Sequence, residues 1–131
     1  MPIYRIHTSE DGHTHLEAWP AEAVAFEAGP GPFKGLGGAV LGDAKRVALL
    51  RIAPGLKPPL HRTNSGLAVV LEGEVLLRVS DGTEVLLHPG DAVRLESLGV
   101  GRGGIGGWSP SNPSSETAAL LALVHMPSAG G

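Results

Sequence analysis

The stretch LAVVLEGEVLLRVSDGTEVLLHPGDAVRL, residues 67–95, decides the fold class. It holds four β-rich runs: Leu67 to Leu71, Val75 to Val79, Glu84 to Leu87 and Ala92 to Leu95. The breaks between them are Glu72-Gly73, Ser80-Asp81-Gly82 and Pro89-Gly90-Asp91. Short apolar runs at regular spacing, divided by turn-forming residues, predict a sandwich or a barrel. Side chains of a strand alternate between its two faces, so Val75, Leu77 and Val79 fall on one side and Glu74, Leu76 and Arg78 on the other.

Toward the N-terminus, Ile3 to Thr8 and Thr14 to Trp19 read as strands joined by the turn Ser9-Glu10-Asp11-Gly12. Pro20 to Ala28 has helix-forming residues without a full apolar stripe. Gly29 to Gly38 is a Gly/Pro loop. Ala39 to Leu41 and Arg46 to Ala53 are strands about Gly42-Asp43, a hairpin signal. In APGLKPPLHRTNSG, residues 53–66, three prolines hold the chain extended. On the C-terminal side, Leu98 to Pro113 is a long Gly/Ser/Pro loop, Thr117 to His125 a closing apolar strand, and PSAGG a frayed tail. No repeat or internal linker divides the chain. The expectation is one all-β domain over 1–131, with N-terminal strands and loop at 1–38, the core at 39–125 and a tail at 126–131.

Composition narrows the function classes. At 131 residues the chain holds one core, with 42% hydrophobic and 18% charged residues and a net charge of −3. There is no Lys/Arg stripe to bind nucleic acid. Without cysteine, disulfides, thiolate metal sites and thiol nucleophiles are excluded. Twenty glycines and eleven prolines suit many strands and turns better than a helical bundle. The opening MPIYRIHTSEDGHTH is polar, and the longest apolar runs stop well short of the ~20 residues of a membrane helix. The expectation is a soluble cytoplasmic protein with no membrane or nucleic-acid partner.

From Ala53 to Val124 the chain resembles the small single-barrel cupins. Pro54-Gly55 is followed by His61, then by VLEGEV and DGTEVLLHPGDAV, then by a loop with Trp108 and Asn112 ahead of an apolar strand. The resemblance covers a little over half of the chain. It implies a jelly-roll barrel with a ligand-sized lumen, frequently dimeric, in a family whose members include dioxygenases, isomerases, cyclases, lyases and binding or sensory domains. The fold alone therefore fixes little about the reaction. The family's metal pattern is largely absent. Gly55 and His61 match it, but Thr63 stands at the second His, Gly66 or Leu67 at the Glu, and Gly106 or a residue near Arg102 at the third His. One ligand is too few for a divalent metal, which takes three or more converging donors.

The candidate site residues each carry a structural alternative. His61 is read as a catalytic acid or base at the barrel mouth, or as a residue bonded to its own loop. Thr63, taken as its catalytic partner, and Asn64, taken as substrate-binding, can bond a carbonyl or satisfy the Pro-rich loop. Arg78, Arg94 and Arg102 can clamp a carboxylate or an enolate oxygen, or face solvent. Trp108 lines a pocket or plugs the barrel. His125 ends the last strand, where it can approach His61. His13 and His15 share a strand face and offer a metal pair only with a third ligand; read plainly, they are an exposed pair. His88 is expected to be exposed at its turn. The loop GVGRGGIGG lacks the setting of a phosphate loop. The resulting expectation is a homodimeric, metal- and cofactor-independent protein that binds a small, largely apolar molecule. Its chemistry would be isomerisation, cyclisation or elimination beside a carbonyl, as in natural-product tailoring. Its rivals are a metal-dependent dioxygenase or isomerase with unusual ligands, and a non-enzymatic binding or sensory module.

Overall fold

A computed structural model describes residues 3–19, 27–28, 37–38, 43–60, 65–96 and 107–126. Every regular element among them is a strand: β1 Ile3–Thr8, β2 Thr14–Trp19, β3 Glu27–Ala28, β4 Gly37–Gly38, β5 Arg46–Ile52, β6 Gly66–Glu72, β7 Val75–Val79, β8 Glu84–Leu87, β9 Ala92–Leu95, β10 Trp108–Ser111 and β11 Ala119–His125. The all-β reading holds, and β1, β2, β7, β8 and β9 keep their expected bounds. Residues 39–41, the first arm of the expected hairpin into β5, and Gly42 of its turn lie outside the described residues.

The strands form a six-stranded sheet in the order β2-β1-β9-β6-β11-β5, a three-stranded sheet β10-β7-β8 and a short ribbon β3-β4. The described strands do not close into a barrel. Two seams nevertheless join the large sheets at opposite edges. At the β2 edge, the fully buried Thr14 donates its backbone N–H to Ser80 Oγ at 2.7 Å and its hydroxyl to Gly107 O at 2.6 Å. Asp81 N–H reaches Thr14 O at 3.3 Å. Beyond β5, Asn112 N–H donates to Leu56 O at 2.9 Å and Ser109 Oγ donates to Pro58 O. The sheets thus wrap a common core of Ile6, Ile52, Val70, Leu77, Leu87, Leu95, Trp108 and Leu121. Val75, Leu77 and Val79 face this core, while Arg78 points outward, as the alternation requires.

Two departures from the expected strand pattern have physical causes. Trp108–Ser111 is a strand inside the stretch expected to be loop. Among the described residues it pairs only with β7, as an edge strand, so Pro110 can occupy it without removing a needed N–H. Gly37–Gly38 likewise forms a short strand with Glu27–Ala28 within the expected Gly/Pro loop. In β6, the register against β11 shifts between Leu120 and Leu121, a bulge that leaves Leu71 exposed at the end of the strand.

Gly66 marks the closest approach between β6 and β11. A Cβ built there would stand 2.0 Å from Val124 O and 3.0 Å from Val124 C, both backbone atoms. Backbone cannot swing aside, so Gly66→Ala must part the two central strands and is expected to cost about 3 kcal/mol, near the upper end for overpacking. Urea unfolding of the purified variant checks this, and a loss under ~1 kcal/mol would mean that the strands yield freely.

Candidate functional site

Two places bring chemistry-bearing side chains together. The first is the inward face of the six-stranded sheet. Strand registers align its inward side chains in rows: Arg46, His125, Gly66, Leu95, Ile6 and Leu16 form one, and Ala48, Leu123, Ala68, Val93, Tyr4 and Ala18 the next. At the β5-β11-β6 end this floor is built of small residues, Gly66, Ala48 and Ala68. Leu50 and, across the sheet, Tyr4 and Leu16 are only partly buried against the core. His125 stands in the first row. Its Nδ1 is buried and has no hydrogen-bond partner among the described residues. A buried ring nitrogen that bonds nothing is costly, and it has capacity left for a ligand.

The second place is on the opposite face, where the β1-β2 and β7-β8 turns meet. His15 Nδ1 lies 2.9 Å from Asp81 Oδ2, and His15 Nε2 lies 2.7 Å from Ser9 Oγ. Ser9 Oγ also donates to Asp11 Oδ1, and His13 N–H caps the same oxygen at 3.0 Å. His13 Nδ1 meets Ser80 Oγ at 3.2 Å. The His7 ring lies 5.5 Å from that of His15, centroid to centroid, and His7 Nε2 is 3.9 Å from Glu17 Oε2. Further along this face, Arg5 bridges Glu17 at 2.7 Å and Glu96 at 2.6 Å, and Arg94 also meets Glu96. Those two glutamates hold the Arg5 guanidinium pKa above its usual value.

Burial pushes the Asp81 carboxyl up, but hydrogen bonds from Thr83 and His15 outweigh it and hold the group below the usual carboxylate range. A carboxyl depressed in the folded state contributes stability above its unfolded pKa, about 4, and that contribution fades as pH falls through the lower folded value. The stability advantage of the native chain over Asp81→Asn is therefore expected to be full at pH 6 and to shrink steadily below about pH 4. Paired melts from pH 6 to pH 2 measure it, and an advantage that does not vary with pH would refute the assignment.

The residues singled out from the sequence are distributed unevenly. His61, Thr63, Asn64 and Arg102 lie outside the described residues. Arg78 is exposed on β7, opposite Glu84 and Ser109 in register, and does not approach His125's face of the core. Trp108 is buried at 1% exposure in the core, and His125 lies on the inward face. Arg94 joins the outer ion-pair row, and His88 is exposed beside Glu74. His13 and His15 are partly buried rather than fully exposed, and each has a partner on the β7-β8 turn. Among the described residues no three His, Asp or Glu side chains are grouped to hold a metal ion. The relay of Ser9, His15 and Asp81 was not read from the sequence. Ser9 and Asp81 each look like ordinary turn residues, and nothing local links His15 to Asp81, 66 residues further on.

No protein-family model matches the chain, and no curated protein matches it in sequence.

Proposed function

We propose that this chain is a cupin-like protein that binds a small, largely apolar organic molecule against the inward face of the six-stranded sheet, and moves a proton beside a carbonyl of that molecule without a metal. The observation that carries this reading is His125. Its buried Nδ1 has no hydrogen-bond partner among the described residues, and its row on the sheet, shared with Gly66, adjoins the row of Ala48, Leu123 and Ala68. Apolar walls with one or two oriented polar groups are the usual make-up of a small-molecule site.

Chain connectivity supports the placement. Ser65 O accepts Met126 N–H at 2.9 Å, and Gly66 pairs with His125. Ser65 and Gly66 therefore stand beside Met126 and His125, and His61, Thr63 and Asn64 precede them directly in sequence. In this reading His61 is the proton carrier, Thr63 and Asn64 steady the oxygen on which charge develops, and His125 orients the substrate. The wrapped arrangement of two sheets joined by seams at both edges agrees with a cupin-like half-barrel, and the protein acts as a homodimer in the cytoplasm.

The test is a fragment screen by amide chemical-shift mapping, run with and without added Fe, Mn, Ni, Cu and Zn. Carbonyl-bearing apolar fragments are expected to shift the Ala48, Ala68 and Leu123 amides, and His125→Ala is expected to weaken them at least tenfold. Shifts confined to other surfaces would overturn the site. Stoichiometric uptake of one metal would overturn the metal-independent chemistry and make His61 and His125 the ligands to mutate.

A further inference from the structure

We propose a second site, chemically separate from the first: Ser9 is a nucleophile activated by His15 and Asp81, and it takes the acyl group of small activated esters.

The proposal stands on one continuous chain of contacts, from Asp81 Oδ2 to His15 Nδ1 at 2.9 Å and from His15 Nε2 to Ser9 Oγ at 2.7 Å. A carboxylate on Nδ1 selects the tautomer that leaves the Nε2 lone pair facing the hydroxyl, which is the arrangement that general-base activation of serine requires. Both ends are held by backbone. Ser9 N–H donates to His13 O at 3.0 Å and Gly12 N–H to Ser9 O at 2.9 Å, which fixes the serine in its turn. The residues next to His15 and Asp81 are stitched to each other through Thr14 and Ser80: Ser80 N–H donates to Thr14 Oγ1 at 2.8 Å and Thr14 N–H to Ser80 Oγ at 2.7 Å. The His15 side chain keeps 35% of its surface exposed, so a reagent can reach the relay.

Asp11 and the His13 carbonyl compete for the single Ser9 hydroxyl hydrogen, because Ser9 Oγ also contacts Asp11 Oδ1 and lies 3.3 Å from His13 O. The Ser9 hydroxyl, the His13 N–H and the nearby imidazoles hold the Asp11 carboxyl below the usual range. Even an ordinary carboxylate is a weaker base than a neutral imidazole, so the proton released on attack passes to the imidazole. The other groups facing His15 are His7, stacked at a tilt, and Glu17 behind it. His13 belongs to the same turn and meets Ser80.

In the reaction, Ser9 Oγ forms a bond to the ester carbonyl carbon and its proton moves to His15 Nε2. The C–O bond to the leaving alcohol then breaks, and that oxygen takes the proton from Nε2. Water repeats the sequence on the acyl-serine, giving its proton to Nε2 as it adds. Ser9 Oγ recovers the proton as the carboxylic acid departs. Asp81 remains ionised throughout.

The experiment treats the full chain with a fluorophosphonate probe and, separately, with p-nitrophenyl acetate, and maps adducts by peptide mass spectrometry. One adduct on Ser9 is expected. Its rate should fall at least tenfold in His15→Ala and in Asp81→Asn, with both variants first shown to melt cooperatively. In the native chain the rate should rise with pH and then level off. That profile needs no variant. A rate that climbs in proportion to hydroxide without a plateau, an adduct on another residue, or undiminished labelling in either variant would overturn the proposal. Loss of labelling in Asp11→Asn with none in His15→Ala would also overturn it, by making Asp11 the base.

Discussion

Trp108→Ala is expected to destabilise the protein by about 4 kcal/mol and to lower its melting temperature by roughly 12 °C. The indole is the largest fully buried side chain among the described residues. It enters the core from the first position of β10, paired with Val79 of β7, and the preceding Gly107 carbonyl accepts the Thr14 hydroxyl of the other sheet. Removing the ring empties the space between the sheets beside that seam, and the neighbouring β-strands cannot collapse into it without breaking the bonds to Thr14. Trp108→Phe retains most of the apolar volume and is expected to lose less than half as much. Guanidinium unfolding of the two variants decides the matter. A loss near 1 kcal/mol for the alanine variant would mean that the ring fills a surface groove instead of the core.

The fold was largely legible because the strands that build it are amphipathic at period two and are separated by turn residues. In residues 67–95 the alternation, the Ser80-Asp81-Gly82 turn and the Pro89-Gly90-Asp91 turn all agree with the structure. β10 was illegible for a specific reason. Its four residues, Trp-Ser-Pro-Ser, are all buried, because one face meets the core and the other is covered near Pro58. No alternation of polarity survives when both faces are covered. That the large sheets do not close was also hidden, since closure depends on which edges pair rather than on the pattern within any one strand.

Site residues were less legible than strands because chemistry depends on which turns meet in space. The family resemblance marked His61 by its spacing from Gly55, but residues 61–64 lie outside the described residues. By contrast, the pairing of His15 with Asp81 follows from Thr14 and Ser80 exchanging three hydrogen bonds across two hairpins. Thr14 and Ser80 are small hydroxyl residues of the kind found at any strand end. Their role appears only when both turns are seen together.

Asn112→Asp is expected to be as damaging as loss of the tryptophan at neutral pH, about 3–4 kcal/mol, for removing hydrogen-bond donors and burying a charge. Asn112 is 1% exposed and uses its whole amide. Its Nδ2 donates to Ile52 O at 3.0 Å and to Thr117 O at 2.8 Å, and its Oδ1 accepts Ser114 N–H at 3.0 Å. With its own N–H bonded to Leu56 O, it ties the end of β5 to the turn that leads into β11. A carboxylate of the same shape keeps the bond from Ser114 but turns an oxygen toward two carbonyls, with no hydrogen between them. Burial against those lone pairs raises the pKa of the introduced group. Its penalty is therefore largest above the raised folded value and shrinks as acid restores a proton that can serve one of the two carbonyls. Asn112→Ala leaves the same carbonyls unpaired without adding charge. It is expected to cost about 2–3 kcal/mol with no pH dependence of its own. Unfolding of both variants at pH 7.5 and pH 4.5, each referred to the native chain at the same pH, separates the two effects. If the difference between the variants does not narrow in acid, Asn112 faces water rather than the two carbonyls, and the seam beyond β5 is not what holds the turn.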